Sequence, residues 1–434
     1  MQEKLQLFMP ESYDLVVGDT FQLYYRGIIQ SYNPYQYNVV ATCEKGKSFP
    51  RYFEYTPKEA GKHQLDITVY DDNLNVIGNA KTILNVVQPK ASDKPVNFLC
   101  IGASLSSGGE WVNELNRRIS SNYGNPKGLG FKGLNFVGTS KKGDVSVEAY
   151  GGWQWKNFTS SKEGAVWVEY PNKLTSEDQH SVWKDENGAL WQIETLQVDY
   201  LKFNKYQYHD CTLPKSGTLY HVKNALHQEP IKYLSSTPGK ISPFYDKETD
   251  KLDFKKYLEN QGFDTVDVVY ADLGGNGLMR TDAQALSREE YCKIVVKEAK
   301  EVVDLILDAC PNAKIKLMTM PFPSLNVGLG TNYGAEPPFN DYLNLVNYHI
   351  ELCKAYDNWC KEEKYKDNLE LVHMSGQFDS EHNYPYVEKP VNTRCQTTER
   401  FDVNGGHPAP WGYMQMADAV YRNLVKEFYS EKND

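Results

Sequence analysis

The chain has 434 residues and a formal net charge of −10 at pH 7. This acidic balance leaves no surplus of basic side chains of the kind that nucleic-acid binding requires, so nucleic acid is excluded as a partner. No run of about 18 apolar residues occurs, so no segment is expected to span a membrane. The chain is longer than those that usually form a single hydrophobic core, which predicts two domains or one domain with large insertions.

Cysteine and aromatic usage narrows the chemistry further. The eight cysteines form no CxxC pair and no grouping with histidine, so we expect neither a metal site nor a cofactor. The first residues, MQEKLQLF, lack the basic start and apolar stretch of a signal peptide, although a leader could have been removed. The 31 tyrosines and 8 tryptophans fit stacking on sugar rings, but β-sheet packing favours the same residues.

The N-terminal part is a series of short segments with alternating polarity. TFQLYYRGI, YNVVATC, HQLDITVYD and AKTILNVVQ are rich in β-branched and aromatic residues. They predict an antiparallel β-sandwich over residues 1–90 with an immunoglobulin-like plan. The stretch YTPKEAGKHQLDITVYD is similar to the penultimate-strand region of bacterial immunoglobulin-like modules. A polar stretch follows and predicts a linker over residues 91–95.

From residue 96 onward the pattern changes to alternating strands and helices. The apolar segments VNFLCIG, DTVDVVYADLG, KIKLMTMPFP and LELVHMS are separated by amphipathic stretches. This alternation predicts an α/β domain over residues 96–434, with a mostly parallel sheet and helices on both faces. Ligands bind beyond the carboxyl ends of the strands in such sheets, and Ser104 lies at such an end. Residues 157–253 break the pattern and predict a β-rich insertion over one rim of the sheet, with a hairpin through Glu-Asn-Gly.

Four stretches resemble blocks one, two, three and five of the SGNH hydrolases, also called GDSL-type esterases. They are IGASLS, EAYGGWQW, ADLGGNGL and NGGHPAPWGYMQMADAVY, and they occur in the family's order. The resemblance covers about residues 96–428 apart from the insertion, and it implies a flavodoxin-like three-layer fold and a serine esterase. It implies Ser104 as nucleophile and His407 as base. It also implies an oxyanion hole formed by the N–H groups of Ser104 and Gly152 and the side chain of Asn276, with Gly151 as the alternative to Gly152.

The residue types support this chemistry independently of the family. A serine hydroxyl becomes a nucleophile when a base within hydrogen-bond reach takes its proton. His407 follows two glycines and precedes a proline, so a stiff loop holds its ring, although a histidine in such a loop can instead cap the next helix. The tetrahedral intermediate carries an oxyanion that needs donors, and Asn276 offers one unless it is only a turn residue.

Three positions depart from the family pattern. The family has Asp where this chain has Ala103, Asp where it has Gly277, and the triad acid where it has Asn404, so the site must be braced differently. An Asn can orient an imidazole but adds no negative charge, and in serine proteases the replacement of the triad Asp by Asn lowers turnover by about 10⁴. We therefore expect a Ser–His dyad oriented by Asn404 or by a backbone carbonyl. The alternative is that Asp402 supplies the acid.

The insertion bears on the substrate. Its rings stand among charged and amide residues, which favours a glycan over a long acyl chain, although part of them form the insertion's core. They are Trp167, Tyr170, Trp183, Trp191, Tyr200, Tyr206, Tyr208 and Tyr220.

With the resemblance, these rings imply a secreted or periplasmic esterase that removes O-acyl groups, chiefly acetyl, from a glycan. The alternatives are a lipase or thioesterase on the same scaffold and a glycan-binding protein without activity. The sugar, the acyl group and the oligomeric state stay open.

Overall fold

A computed structural model of the chain describes residues 5–31, 33–159, 167–169, 174–197, 200–205, 216–226, 228–234, 242–246, 248–276, 287–324 and 338–431. Tyr170, Tyr206, Tyr208 and Gly277 lie outside these ranges. The chain divides into two compact units, one made of Met1–Gln154 with Gln261–Asp434 and the other of Trp155–Asn260. The domain boundaries drawn from the sequence stay predictions.

The N-terminal part of the first unit forms two β-sheets that share one core. The strands are β1 (Ser12–Val16), β2 (Phe21–Tyr24), β3 (Asn38–Thr42), β4 (Lys47–Ser48), β5 (Tyr52–Tyr55), β6 (Gly61–Tyr70) and β7 (Val76–Val87). One sheet has the order β1-β7-β6-β3 and the other β2-β5-β4. Leu15, Ile67 and Leu84 of the first sheet cluster with Phe21 and Phe53 of the second. We call these strands the N-terminal sandwich.

One pairing in the N-terminal sandwich differs from the antiparallel prediction. Strand β1 runs parallel to β7, with Ser12 opposite Ile83 and Val16 opposite Val87. The other edge of β7 is taken by β6, so β1 covers the edge that would otherwise be unpaired. The immunoglobulin-like plan stays a prediction.

The first elements after the N-terminal sandwich carry the turn with Ser104. They are β8 (Val96–Gly102), α1 (Ser104–Ser107), α2 (Glu110–Ser120), β9 (Leu134–Val137), β10 (Ser140–Lys142) and β11 (Val145–Ala149). Strand β8 coincides with the predicted strand VNFLCIG, and α2 lies in the amphipathic stretch that follows it.

The second unit is rich in β-strands, as predicted. Its elements are α3 (Trp155–Phe158), β12 (Trp167–Glu169), β13 (Val182–Lys184), β14 (Leu190–Gln197), β15 (Tyr200–Lys205), β16 (Ser216–Lys223), β17 (Ile231–Leu234), β18 (Tyr245–Asp246), β19 (Lys251–Leu252) and α4 (Phe254–Asn260). Strands β13 and β14 form the predicted hairpin, with Trp183 opposite Trp191. Both of these rings are buried in the unit's core, so neither is exposed to stack on a glycan. The predicted place of the insertion over a rim of the sheet stays a prediction.

The remaining elements complete the first unit. They are β20 (Val268–Asp272), α5 (Arg288–Ala309), β21 (Lys314–Met318), α6 (Pro338–Cys360), β22 (Leu369–Val372), β23 (Tyr386–Pro390), β24 (Thr398–Asp402) and α7 (Pro410–Phe428). Within the described ranges, no helix combines the length and apolar character needed to cross a bilayer.

The central sheet of the first unit has seven strands in the order β10-β11-β8-β20-β21-β22, with β9 also paired to β8. Strand β8 pairs with β9 from Val96 to Leu99 and with β11 at Ile101 and Gly102. All pairings are parallel except β10 with β11. When β9 and β11, which both pair with β8, are counted as one position, the parallel strands follow the 2-1-3-4-5 order of flavodoxin-like sheets. The predicted α/β fold with a mostly parallel sheet is confirmed.

The sheet is buried on both faces. Phe98 and Cys100 of β8 share a core with Trp111 of α2 and with Val420 and Leu424 of α7. Leu99 and Ile101 point the other way along the strand and are also buried. Helices α5 and α6 pack against each other, and the Tyr356 hydroxyl of α6 donates to the Leu273 carbonyl after β20.

The N-terminal sandwich is joined to the α/β part by buried charges. Asp19 lies 2.6 Å from Arg118 of α2 and 2.6 Å from Arg422 of α7. The chain just before the predicted linker is also held, because the Lys90 N–H donates to the Tyr429 carbonyl at 2.7 Å. These contacts place both parts in one compact unit.

Candidate active site

A cavity of about 330 Å³ opens at the carboxyl ends of the parallel strands, where such sheets bind ligands. Its walls come from the segments that follow β8, β11, β20 and β21 and from the loop before α7. The lining residues are Ala103, Ser104, Leu105, Gly152, Asp272, Leu273, Gly275, Asn276, Met320, Pro321, Pro323, Tyr384, Gly406 and His407. The cavity thus brings together Ser104, Gly152, Asn276 and His407. Gly151, Asp402 and Asn404 are not among its lining residues.

Ser104 stands on a tight turn between strand and helix. Strand β8 ends at Gly102, Ala103 has an extended backbone, and Ser104 is the first residue of the one-turn helix α1. The Ser106 N–H donates to the Ala103 carbonyl at 3.1 Å, which closes the turn. N–H groups in the first turn of a helix have no partner within the helix, so the Ser104 N–H is oriented for an external acceptor.

Side chains of β20 and α2 hold the turn that carries Ser104. The SGNH pattern instead has an Asp on the turn itself, at the position of Ala103. The Ser106 hydroxyl donates to Asp272 at 2.8 Å, and the Trp111 indole N–H donates to the Ser106 oxygen at 3.0 Å. Burial raises the pKa of Asp272 to about 6, although the bond from Ser106 opposes the increase. The sequence signal was a lone carboxylate at the end of a fully apolar strand, VVYAD. These contacts provide the support that Ala103 cannot give.

Gly152 and Asn276 lie on two neighbouring turns. The Trp153 N–H donates to the Tyr150 carbonyl at 3.1 Å, and Gly152 inside this turn has a φ of +78° that favours glycine. The Asn276 side chain donates one N–H to the Trp153 carbonyl at 2.9 Å. A primary amide has two such hydrogens, so this bond orients the second one for another acceptor.

Asn404 shapes the loop that carries His407. Its side-chain oxygen accepts hydrogen bonds from the backbone N–H groups of Gly406, at 3.0 Å, and of His407, at 2.9 Å. This is the local turn that Asn commonly forms with the backbone two or three residues further on. The oxygen of Asn404 therefore holds the backbone of His407.

Asp402, the alternative acid, is engaged elsewhere. It is buried, and its two oxygens accept from Arg400 Nε, at 2.8 Å, and from the Ser324 hydroxyl. An acidic partner of His407 would have to keep an oxygen directed at the ring. Each oxygen of Asp402 thus already accepts one hydrogen bond, and the choice between the dyad and Asp402 as the triad acid stays a prediction.

One carboxylate that acts electrostatically on His407 is that of Glu110, which was not among the residues predicted from the sequence. Burial lowers the pKa of His407 below its usual value, and the negative charge of Glu110 opposes this. Glu110 is exposed and begins α2, six positions after Ser104. An acidic residue is common in the first turn of a helix because it interacts favourably with the helix dipole. The position of Glu110 in the sequence therefore gives no indication of its effect on His407.

One grouping in the described part of the chain could offer ligands to a cation, and the sequence analysis did not single it out. Atoms of Asp379, Glu381 and His382 lie within 4.8 Å of one another. The Arg51 guanidinium is 2.6 Å from Asp379 and 2.5 Å from Glu381, so a positive charge is already present there. None of these residues lines the cavity.

No protein-family model and no curated protein matches the chain. Among solved structures it is similar to a peptidoglycan O-acetylesterase, at 14% identity over 78% of this chain and 93% of that one, with a TM-score of 0.29. It is also similar to a family two carbohydrate esterase from Cellvibrio japonicus, at 11% identity over 98% and 94%, with a TM-score of 0.26. An acetyl xylan esterase from the rumen bacterium Butyrivibrio proteoclasticus gives 11% identity over 98% and 96%, with a TM-score of 0.27. Likenesses this weak decide neither the fold nor the activity of this chain.

Proposed function

We propose that the protein is a serine esterase of the SGNH type that removes O-acyl groups, acetyl in particular, from a carbohydrate. The observation that carries the proposal is the convergence of Ser104, Gly152, Asn276 and His407 on one cavity. These residues follow different strands of the sheet or precede α7, so only the folded chain brings them together. Their chemical types are those that acyl transfer needs.

In the first half of the reaction, neutral His407 takes the proton of the Ser104 hydroxyl. The serine oxygen forms a bond to the ester carbonyl carbon, and the carbonyl oxygen becomes an oxyanion. The N–H groups of Ser104 and Gly152 and the second amide hydrogen of Asn276 donate to this oxyanion. His407 then gives its proton to the sugar oxygen as the carbon–oxygen bond breaks, which leaves an acyl-enzyme and a free hydroxyl on the sugar.

In the second half, water replaces the sugar. His407 takes a proton from water, the hydroxide oxygen attacks the acyl carbon, and the same donors stabilise the second oxyanion. The bond to Ser104 breaks, and His407 returns the proton to the serine oxygen. The products are a carboxylic acid and the original enzyme. In this scheme Ser104 and His407 act as a dyad, and Asn404 holds the histidine loop.

The walls of the cavity support a short acyl group. Leu105, Leu273, Met320 and Pro321 give it an apolar lining, and its volume is at the small end of the range for ligand sites. An acetyl group needs little apolar surface, whereas a long chain needs an extended groove.

An aromatic ring near the histidine loop supports a carbohydrate. Trp411 lies four positions after His407, and 46% of its surface is exposed. Its indole N–H donates to the His382 carbonyl at 2.8 Å, which fixes the ring plane. A fixed and exposed indole offers the flat apolar face on which sugar rings stack, with polar groups around it. A secreted or periplasmic location, where such glycans would be met, is part of the same proposal.

The proposal is tested with p-nitrophenyl esters from acetate to octanoate. We expect cleavage of acetate, and loss of this activity in Ser104→Ala with retention within a few-fold in Ser107→Ala, which changes another serine of α1. A serine-directed phosphonate should label Ser104 alone, and acetate should be released from an acetylated oligosaccharide.

Other outcomes would identify the alternatives. Preference for octanoate would indicate a lipase or thioesterase. Glycan binding without cleavage or labelling would indicate an inactive binding protein. Full activity in Ser104→Ala would refute the nucleophile.

A further inference from the structure

The loop after β21, residues 319–324, forms one wall of the active-site cavity. Met320, Pro321 and Pro323 line the cavity, whereas Phe322 is buried. The Phe322 carbonyl accepts from the Tyr384 hydroxyl at 2.6 Å. The position of this wall also depends on the residues that contact the loop from outside the cavity.

The N-terminal sandwich makes one such contact directly. Arg26 lies in the short 3-10 helix Tyr25–Gly27 after β2 and is only 1% exposed. Its Nη2 donates to the Pro323 carbonyl at 3.2 Å. The neighbouring Gly27 packs so closely that a β-carbon there would lie 1.8 Å from the Ser375 carbonyl oxygen. Arg26 is thus held against the cavity wall by backbone that has no room to move inward.

A second path joins the N-terminal sandwich to the same loop. The Tyr13 hydroxyl lies 2.6 Å from His373 Nδ1, and the Ser375 hydroxyl lies 2.9 Å from His373 Nε2 and 3.1 Å from His349 Nε2. The His349 ring meets the ring of Phe322 edge-on at 4.8 Å. Burial lowers the pKa of both histidines to about 3, so this chain of hydrogen bonds is uncharged.

The wall is bonded in turn to the loop of the proposed base. The Ser324 N–H donates to the Gly405 carbonyl at 3.0 Å, and the Ser324 hydroxyl donates to Asp402. Gly405 is two positions before His407. A displacement of Pro323 would therefore be passed through Ser324 and one backbone hydrogen bond to Gly405, in the loop that carries His407.

We propose that the N-terminal sandwich is a positioning part of the active site and that Arg26 is a positioning residue for ester hydrolysis. The inference rests on the proposed function. Arg26 touches neither substrate nor reacting atoms. It acts through Pro323 and Ser324 on the cavity wall and on His407. Because a misplacement of about 1 Å can cost about 100-fold in rate, a single hydrogen bond to this wall is enough to matter.

The experiment compares Arg26→Met with Arg51→Met. Both side chains extend from the N-terminal sandwich to the α/β part, but Arg51 pairs with Asp379 and Glu381, which do not line the cavity. With p-nitrophenyl acetate we expect kcat to fall about tenfold to 100-fold in Arg26→Met, with KM within about threefold. Arg51→Met should keep kcat within about twofold. The rate of phosphonate labelling at Ser104 should fall in parallel with kcat.

The variant Arg26→Lys distinguishes an effect of Arg26 on the position of the cavity wall from an effect on the stability of the fold. It keeps the charge but has a single ammonium group in place of the planar fork, so we expect a kcat between those of wild type and Arg26→Met. Near-UV circular dichroism and Tm report the fold. If Arg26→Met does not fold, Arg26→Lys decides, and a wild-type kcat in that variant overturns the proposal.

Two further outcomes also overturn it. One is wild-type kcat in a folded Arg26→Met, and the other is an equal loss in Arg26→Met and Arg51→Met. Failure of the proposed function looks different, because the wild-type protein itself would then cleave no ester or would remain active as Ser104→Ala.

Discussion

His407 experiences two opposing effects on its pKa. Partial burial favours the neutral ring and lowers the pKa, whereas the charge of Glu110 favours the imidazolium and raises it. A general base must be neutral to accept a proton, so under the proposed function we expect activity to rise with pH through the titration of His407. The imidazolium formed during the reaction is stabilised by any negative charge near it. We therefore expect Glu110 to influence both the pH profile and the rate of the proposed reaction.

We expect Glu110→Gln to move the rising limb of the profile of kcat/KM against pH to lower pH. Removal of the negative charge leaves the lowering effect of burial unopposed, so the ring loses its proton at a lower pH. At neutral pH kcat should also fall, but by far less than the roughly 10⁴ seen when a contacting triad acid is neutralised. The measurement is hydrolysis of p-nitrophenyl acetate between pH 4.5 and 8.5.

Glu114→Gln is the matched control for this prediction. Glu114 lies one turn further along α2 and is paired with Arg117 at 2.5 Å. Its replacement should leave the pH profile in place. If Glu110→Gln shifts the limb to higher pH, or if both variants shift it equally, Glu110 does not act on His407 as described.

The turn from Tyr150 to Trp153 sets the direction of one proposed oxyanion donor. We expect Gly152→Ala to lower kcat at least tenfold and to cost about 1 kcal/mol in the free energy of unfolding, because its φ of +78° strains any residue with a β-carbon. No atom lies within 4 Å of the added methyl group at Gly152 or at Gly151, so steric clash does not contribute. The measurements are steady-state kinetics and urea denaturation.

Gly151→Ala is the control for Gly152→Ala. It tests whether the loss comes from backbone strain at Gly152 or from replacing either glycine of this turn. Its methyl group has the same space, and its φ is not positive, so activity and stability should stay close to wild type. A larger loss of activity in Gly151→Ala than in Gly152→Ala would mean that Gly151 is the donor.

The sequence predicted the elements that carry a periodic pattern and missed those that do not. Strand β8 is a continuous apolar run that ends at a glycine, and α5 is preceded by Ser287, which forms a capping box with Glu290, so both elements have a local sequence signal. The hairpin of β23 and β24 was not predicted, because β23 is exposed along its whole length and lacks the alternation of buried and exposed residues that marks a half-buried strand. The pairs Ser324–Asp402 and Ser106–Asp272 join residues far apart in the chain, which no local pattern reveals.

The first unit is organised around Asp19, whose carboxylate lies between Arg118 and Arg422. Burial alone would raise the pKa of Asp19, but the two guanidinium groups outweigh it and hold the pKa below the usual value. A carboxylate with a lowered pKa stabilises the fold above its unfolded-state pKa, and this stabilisation is lost as pH falls through the folded-state value.

We expect Asp19→Asn to lower the free energy of unfolding by about 3 kcal/mol at pH 7, because it leaves buried guanidinium charge without its counterion. The difference from wild type should shrink in acid, where the wild-type carboxylate also becomes neutral. Urea denaturation at pH 7 and at pH 3 measures both values. Asp66→Asn, which removes an exposed pair with Lys81, should cost less than about 1 kcal/mol. An effect of Asp19→Asn no larger than this would contradict the role given to Asp19.

How the N-terminal sandwich meets the α/β part was beyond reach of the sequence. The sequence pattern distinguished a β-rich segment from a segment of alternating strands and helices and predicted a linker between them. It did not predict the contacts between the two segments. The buried pairs of Asp19 and the bond from Arg26 to Pro323 join residues between 99 and 403 positions apart. Charged side chains of this kind are usually exposed, so a sequence gives no reason to bury them.

The bond between Lys90 and Tyr429 has a consequence for biosynthesis. As a ribosome releases the chain, the N-terminal strands and Ser104 emerge long before His407 and the helix that begins at Pro410. Domains tend to fold in the order in which they are made. The N-terminal strands can therefore form early but cannot dock fully until Tyr429 has left the exit tunnel. A nascent chain held short of that point would carry Ser104 without His407, so under the proposed function it would be inert towards esters until synthesis has passed the C-terminal helix.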